Sequence, residues 1–89
     1  MKVTYPACFY KESDGSYTVI FLDLNHLATC GDSLEDAMAM ANDCLVGYLC
    51  ECKQSNDIIN TPSKLQDINP NDEYDDYEEV FVNILTVDI

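Results

Sequence analysis

SLEDAMAMANDCLVGYLCECK, residues 33–53, is the stretch whose reading decides the fold. At about 100° per residue, Leu34, Ala37, Met38, Ala41, Cys44, Leu45, Tyr48, Leu49 and Cys52 fall on one continuous arc, and no charged residue interrupts it. The opposite side carries Glu35, Asp36, Asn42, Asp43, Glu51 and Lys53, with Ala39, Val46 and Cys50 forming a narrow second apolar strip. Ser33 followed by Asp36 approximates a capping box, and Asp32, Glu35 and Asp36 stand where the positive end of a helix dipole favours acids. The pattern predicts an amphipathic helix over 33–53, laid across a sheet.

The flanks supply that sheet. Upstream, VTYPACFY (3–10) is rich in β-branched and aromatic residues, KESDGS turns around Asp14-Gly15, and YTVIFLD (17–23) resumes the strand pattern, so the two runs read as a hairpin. Pro6 cannot donate to a ladder, so the first strand is expected to be an edge at that point or to bulge. The second strand is apolar on both faces, as central or doubly covered strands are. DLNHL reads as a loop and LATC (27–30) as a short third strand ending at Gly31. Downstream, Thr61 and Pro62 open TPSKLQDI as a cap and first-turn pair that predicts one helical turn. VFVNILTV (80–87) reads as the final strand. Strand, strand, short strand, long helix, turn, strand is the order of a two-layer α+β domain, with one antiparallel or mixed sheet of three to four strands. One helix covers one face, so Val19, Phe21, Phe81 and Leu85, or their alternates, need other cover, which favours an oligomer or a docked partner.

Eighty-nine residues make one small domain. Seventeen Asp and Glu stand against four Lys and no Arg, a net charge of −13. Such a chain has almost no basic side chains to neutralise nucleic-acid phosphates, so direct DNA or RNA binding by this chain alone is not expected, while the acidic surface points less strongly to a basic partner, since it also serves solubility alone. The opening MKVTYPACFYKE has no apolar run and no small-residue cleavage site, so no signal peptide is expected, and no stretch reaches the length of a membrane span. Five cysteines, an odd number without a secretion signal, point to free thiols and a cytoplasmic location.

The residues offer little catalytic chemistry. His26 is the only histidine and sits in a loop, where an ordinary exposed side chain is the simpler reading than a general base or zinc ligand. Cys50 and Cys52 point about 200° apart on a helix and cannot clamp one metal, so the cysteines read as small hydrophobes. A metal nuclease of the ribonuclease H type needs a carboxylate on its first strand, and VTYPACFY has none. No cofactor is expected. Residues 72–79 hold six acids interleaved with Tyr74 and Tyr77, which suits a solvated surface or a contact with a basic partner. A small enzyme built on Cys30 or His26 is the least favoured class.

Tyr5-Pro6-Ala7, Asp14-Gly15 with Tyr17 and Val19, Phe21, Asp23-Leu24, Gly31-Asp32-Ser33-Leu34-Glu35-Asp36-Ala37, Tyr48-Leu49 and Pro62-Ser63 with Leu65, Asp67 and Ile68 stand in an order and spacing that resembles the HicB-like antitoxins of toxin–antitoxin pairs. The resemblance covers about residues 5–87. It implies a partial ribonuclease H-like fold without catalytic carboxylates. It also implies that the chain neutralises a small, basic HicA-type toxin, a messenger-RNA-cleaving ribonuclease, by covering its RNA-binding surface. The competing reading is a stand-alone acidic module with another basic partner. Where the family usually has Pro-Gly after Asp-Leu, this chain has Asn25-His26. Many members continue into a DNA-binding domain, and the expectation for residues 1–89 is a single antitoxin domain without one. Charge and aromatic content nominate Asp72, Glu73, Tyr74, Asp75, Asp76 and Tyr77 for toxin contact, with the helix acids Asp36 and Asp43 second. Ala39, Val46 and Cys50 are the candidate self-association strip of a homo-oligomer, a dimer being the simplest.

Overall fold

The Asp14-Gly15 turn closes as its residues demand. Gly15 takes a φ of +90°, where a side chain is strained, and the Asp14 carboxylate accepts the Ser16 amide at 3.0 Å and the Ser16 hydroxyl at 2.6 Å. This turn joins β1 (Lys2–Lys11) to β2 (Tyr17–Phe21) in the computed structural model, which describes residues 2–68 and 77–89. β3 (Leu27–Gly31), α1 (Leu34–Ser55) and β4 (Glu79–Asp88) follow. The sheet order is β3-β2-β1-β4, every neighbouring pair antiparallel, so the fold is α+β with one helix on a four-stranded sheet.

β2 is central, as its two apolar faces predict. β1 pairs with β2 only over Cys8–Lys11, so at Pro6 the strand has β4 on one side and no ladder on the other, the edge position that a residue without an N–H requires. Two expectations are corrected. β2 stops at Phe21 rather than running to Asp23, because Leu22–Leu24 turns as a 3-10 helix that tucks Leu24 into the core. The turn after α1 forms at Leu65–Asp67, past Pro62, with the Asp67 amide bonded to the Lys64 carbonyl at 2.9 Å.

Ser33 caps α1, its Oγ accepting the Asp36 amide at 3.1 Å, and Asp36 reaches back to the Asp32 amide at 3.0 Å. Asn56 closes the other end in the left-handed region. Ala37, Ala41, Leu45 and Leu49, spaced by four, are fully buried against Tyr5, Ala7, Phe9, Val19, Phe21, Leu85 and Val87. Small residues at 37 and 41 let the helix lie close to the sheet: a Cβ on Gly31 would stand 2.4 Å from the Ala37 nitrogen. Leu34, read as part of the packed arc, is 41% exposed, being in the first turn beyond the end of β3.

Val19, Phe21 and Leu85 therefore lie under the helix, and the alternates form the second sheet face. There Pro6, Cys8 and Tyr10 are buried, with the Tyr77 ring 5.3 Å from that of Tyr10. Ile20, Val80 and Val82 are half-buried, and Ile84 is 42% exposed.

Candidate functional site

The antiparallel order brings the ends of distant segments together. The β1–β2 turn, the end of β3, the start of α1 and the start of β4 share one end of the domain, since Lys11 pairs with both Tyr17 and Glu79, and Tyr17 pairs with Gly31. That end carries Glu12, Asp14, Asp32, Glu35, Asp36, Glu78 and Glu79 against Lys11 alone among the described residues. Lys2 and Lys53 belong to the opposite end. Seven acids from three separate stretches of chain thus make a strongly negative pole. Hydrogen bonds from the Ser16 hydroxyl, then from its amide, hold the Asp14 carboxyl below the usual carboxylate range, so it stays ionised as pH falls.

An aromatic shoulder adjoins this pole on the helix face. Phe81, 38% exposed, stacks on buried Phe9 with ring centroids 5.0 Å apart and meets Tyr17 edge-on at 6.5 Å. Asn83 donates to the Met38 sulfur at 3.8 Å beside it, and Leu34 is exposed at the head of α1. Acids around partly exposed apolar side chains are the composition of an interface: desolvated anchors with a charged rim.

The other end is built around Asp23. Its carboxylate accepts the Ser63 amide at 2.7 Å and the Ser63 hydroxyl at 2.6 Å, and its carbonyl accepts the Asn60 side-chain amide at 2.7 Å. The Tyr5 hydroxyl donates to the Asn60 carbonyl at 2.6 Å. Burial first, and the Asp23 carboxylate second, push the Tyr5 phenol above its ordinary range, which keeps it a donor. This clasp fixes the chain leaving α1. Asp23→Ala is expected to cost about 1–3 kcal/mol in a urea titration and to raise amide exchange at Ser63, whereas unchanged exchange there would show that the clasp is dispensable. Beside it lies an open groove of about 550 Å³ lined by Asn25, Tyr48, Glu51, Cys52, Asn56, Asp57 and Ile58.

Of the candidate contact residues, Asp36 sits at the acidic pole and is engaged in capping, while Asp43 is exposed seven residues further along, about 10 Å at the rise of an α-helix. Tyr77 is half-buried against Tyr10. Asp72, Glu73, Tyr74, Asp75 and Asp76 lie outside the described residues. In the proposed self-association strip, Ala39 and Cys50 are exposed, but Val46 packs against the core. Cys8 and Cys52 are buried, Cys30 and Cys50 exposed, and partial burial raises the Cys44 thiol. Asn25 and His26 make the turn where the family has Pro-Gly with successive φ values of 58° and 60°. Among the described residues, no three His, Cys, Asp or Glu are grouped to hold a metal ion, and no helix is long and apolar enough to cross a membrane.

Residues missed in the sequence are Asp23, Ser63 and Asn60 as a structural clasp, and half-buried Tyr17 as the edge-on partner of exposed Phe81. Asp23 and Ser63 both stand among the residues that carry the family resemblance, which was the available signal.

A family model described as HicB-like antitoxin of bacterial toxin–antitoxin system matches residues 5–89. An antitoxin-containing structure, the toxin–antitoxin complex from Streptococcus pneumoniae, superposes with a TM-score of 0.82 at 26% identity, covering 99% of this chain and 70% of that one. The N-terminal domain of Burkholderia pseudomallei antitoxin HicB superposes with a TM-score of 0.71 at 17% identity, over 98% of this chain and 100% of that one. No curated protein matches the chain.

Proposed function

Because the chain belongs to the HicB-like antitoxin family of bacterial toxin–antitoxin systems, we propose that its acidic pole takes the basic RNA-binding face of a small HicA-type ribonuclease and keeps that face from messenger RNA in the cytoplasm. The gathering of Glu12, Asp14, Asp32, Glu35, Asp36, Glu78 and Glu79 at one end carries the reading. A toxin surface built to hold phosphates is a surface of clustered cations, and an acidic pole competes for the same cations. Asp72, Glu73, Asp75 and Asp76 precede Glu78 in sequence and are further candidates for contact with the toxin. Phe81, Tyr17 and Leu34 supply apolar contact inside that ring of charge. Masking asks no chemistry of the antitoxin, and so it acts as a stoichiometric inhibitor and not as an enzyme.

Co-expression with the small basic open reading frame beside its gene, followed by size-exclusion chromatography and an RNA-cleavage assay, tests the proposal. A stable complex with cleavage suppressed is the expected result. Absence of a complex, or continued cleavage within one, overturns it, and capture of a different basic protein without ribonuclease activity returns the chain to the class of acidic binding modules.

A further inference from the structure

The groove of about 550 Å³ between the C-terminal end of α1 and the Asn25-His26 turn has the size of a ligand site. From Asp36 at the acidic pole to Cys52, which lines the groove, is sixteen residues of α1. That is about 24 Å at the rise of a helix, some three times the Debye length of about 8 Å at physiological salt. The two ends therefore act electrostatically as separate sites.

The walls of the groove are held in place. The Tyr48 ring packs against the core, and its hydroxyl accepts the Asn25 side-chain amide at 3.3 Å. Ile59 packs on the core directly after Ile58, and the clasp of Asn60 and Ser63 on Asp23 fixes the chain beyond. A groove that is formed before its ligand arrives spends little ordering entropy on binding.

Its chemistry is that of an acceptor. Glu51 and Asp57 line it and no lysine does. Among the described residues, neither carboxylate has a hydrogen-bond or ion-pair partner. The backbone donors beside them are already spent: the Asn56 N–H donates to the Cys52 and Lys53 carbonyls, and the Asp57 N–H to the Cys52 carbonyl at 2.9 Å. α1 ends here after 22 residues, so the negative end of its dipole adds to the two carboxylates from an independent source. Lys53 stands about 100° round the helix from Cys52, outside the lining. At the rim Ile58 is 91% exposed.

A bare metal ion does not suit this set, since no three His, Cys, Asp or Glu among the described residues are grouped to hold one. A broad, donor-rich cation does. A guanidinium carries five N–H donors in a planar fork and no acceptor, pairs with carboxylates and stacks on aromatic rings. We propose that the groove binds an arginine side chain from an exposed basic segment of a partner protein, the guanidinium between Glu51 and Asp57 beside the Tyr48 ring and an adjoining apolar residue against Ile58. The apolar rim is what asks for a peptide in place of a free amino acid. The proposal goes beyond the acidic pole and stands independently of what that pole binds.

The test is a titration of the full chain, labelled with nitrogen-15, with the peptide acetyl-leucyl-arginine amide. Saturable amide shifts are expected at Asn25, Tyr48, Glu51, Asn56 and Ile58. The analogue with citrulline for arginine, equal in shape but uncharged, is expected to bind at least about tenfold more weakly. The isosteric double variant Glu51→Gln, Asp57→Asn is expected to lose as much affinity for the arginine peptide while the rest of its spectrum stays unchanged. No saturable shift at about 10 mM peptide, equal binding of the citrulline analogue, or shifts as large at Glu12, Asp14 and Glu35 overturns the proposal. A lysine analogue that binds as tightly overturns the choice of guanidinium, and free arginine that binds as tightly overturns the choice of a protein segment.

Discussion

Lysine at Asp72, Glu73, Asp75 and Asp76 together is expected to slow association with the toxin by about 10- to 1000-fold at low salt, while leaving the fold intact. The four changes raise the net charge from −13 to −5 and put cations within a few residues of Glu78 and Glu79 in the sequence. Two signatures separate a local effect from a general one. Association of the wild-type chain should fall steeply with ionic strength, and that of the variant should be nearly flat, because the attraction that salt screens has been removed. Lysine at Glu51 and Asp57, beside the groove at the other end, should cost distinctly less per charge changed. Stopped-flow association rates across a salt series read both. Equal losses per charge at the two ends would mean that the toxin responds to net charge alone and that the pole is not its docking surface.

Gly31→Ala is expected to destabilise the domain by about 3 kcal/mol, a large share of the roughly 4–13 kcal/mol that a chain this size commands. The added Cβ would stand 2.4 Å from the Ala37 nitrogen, 2.6 Å from its Cα and 2.8 Å from the Asp36 carbonyl carbon. All three are backbone atoms, so no rotamer change relieves the overlap. α1 must lift from the end of β3, and Ala37 and Ala41, whose smallness brings helix and sheet together, lose contact with it. Gly47 is the internal control. It lies within α1 with nothing within 4 Å of its missing Cβ, so Gly47→Ala should stabilise by about 0.5–1 kcal/mol through helix propensity. Urea titrations of the two variants should therefore shift in opposite directions. A Gly31→Ala midpoint matching the wild type would show that the helix has slack at that end.

What could be read without coordinates was what neighbours in sequence decide. The spacing of Ala37, Ala41, Leu45 and Leu49, the Ser33 cap, the Asp14-Gly15 turn and the demand of Pro6 for a half-edge all depend on residues within a few positions of one another. The 3-10 turn at Leu22–Leu24 was hidden because its stabilising partner, Ser63, is forty residues away, and a run of apolar residues leading into Asp23 reads simply as more strand. The acidic pole was half legible. Glu78 and Glu79 stand in a conspicuous acidic run, but Glu12, Asp14, Asp32 and Glu35 look scattered along the chain and only the β3-β2-β1-β4 order gathers them. Helical spacing places Ala39, Val46 and Cys50 on one side of α1, and only the structure shows that Val46 is partly buried against the core while its two neighbours are exposed.

The ten-residue pairing of β1 with β4 joins segments made at very different moments. At about 5–20 residues per second, translation leaves β1 waiting roughly 4–15 s before its partner strand exists. During that interval β1 has β2 on one side only, and the apolar groups that β4 will cover stay open to chaperones and proteases. Closing so long a loop is also intrinsically slow. Ribosomal output of this chain is therefore not the same as supply of folded protein: any shortening of synthesis, or any protease that samples nascent chains, acts before the sheet can protect itself.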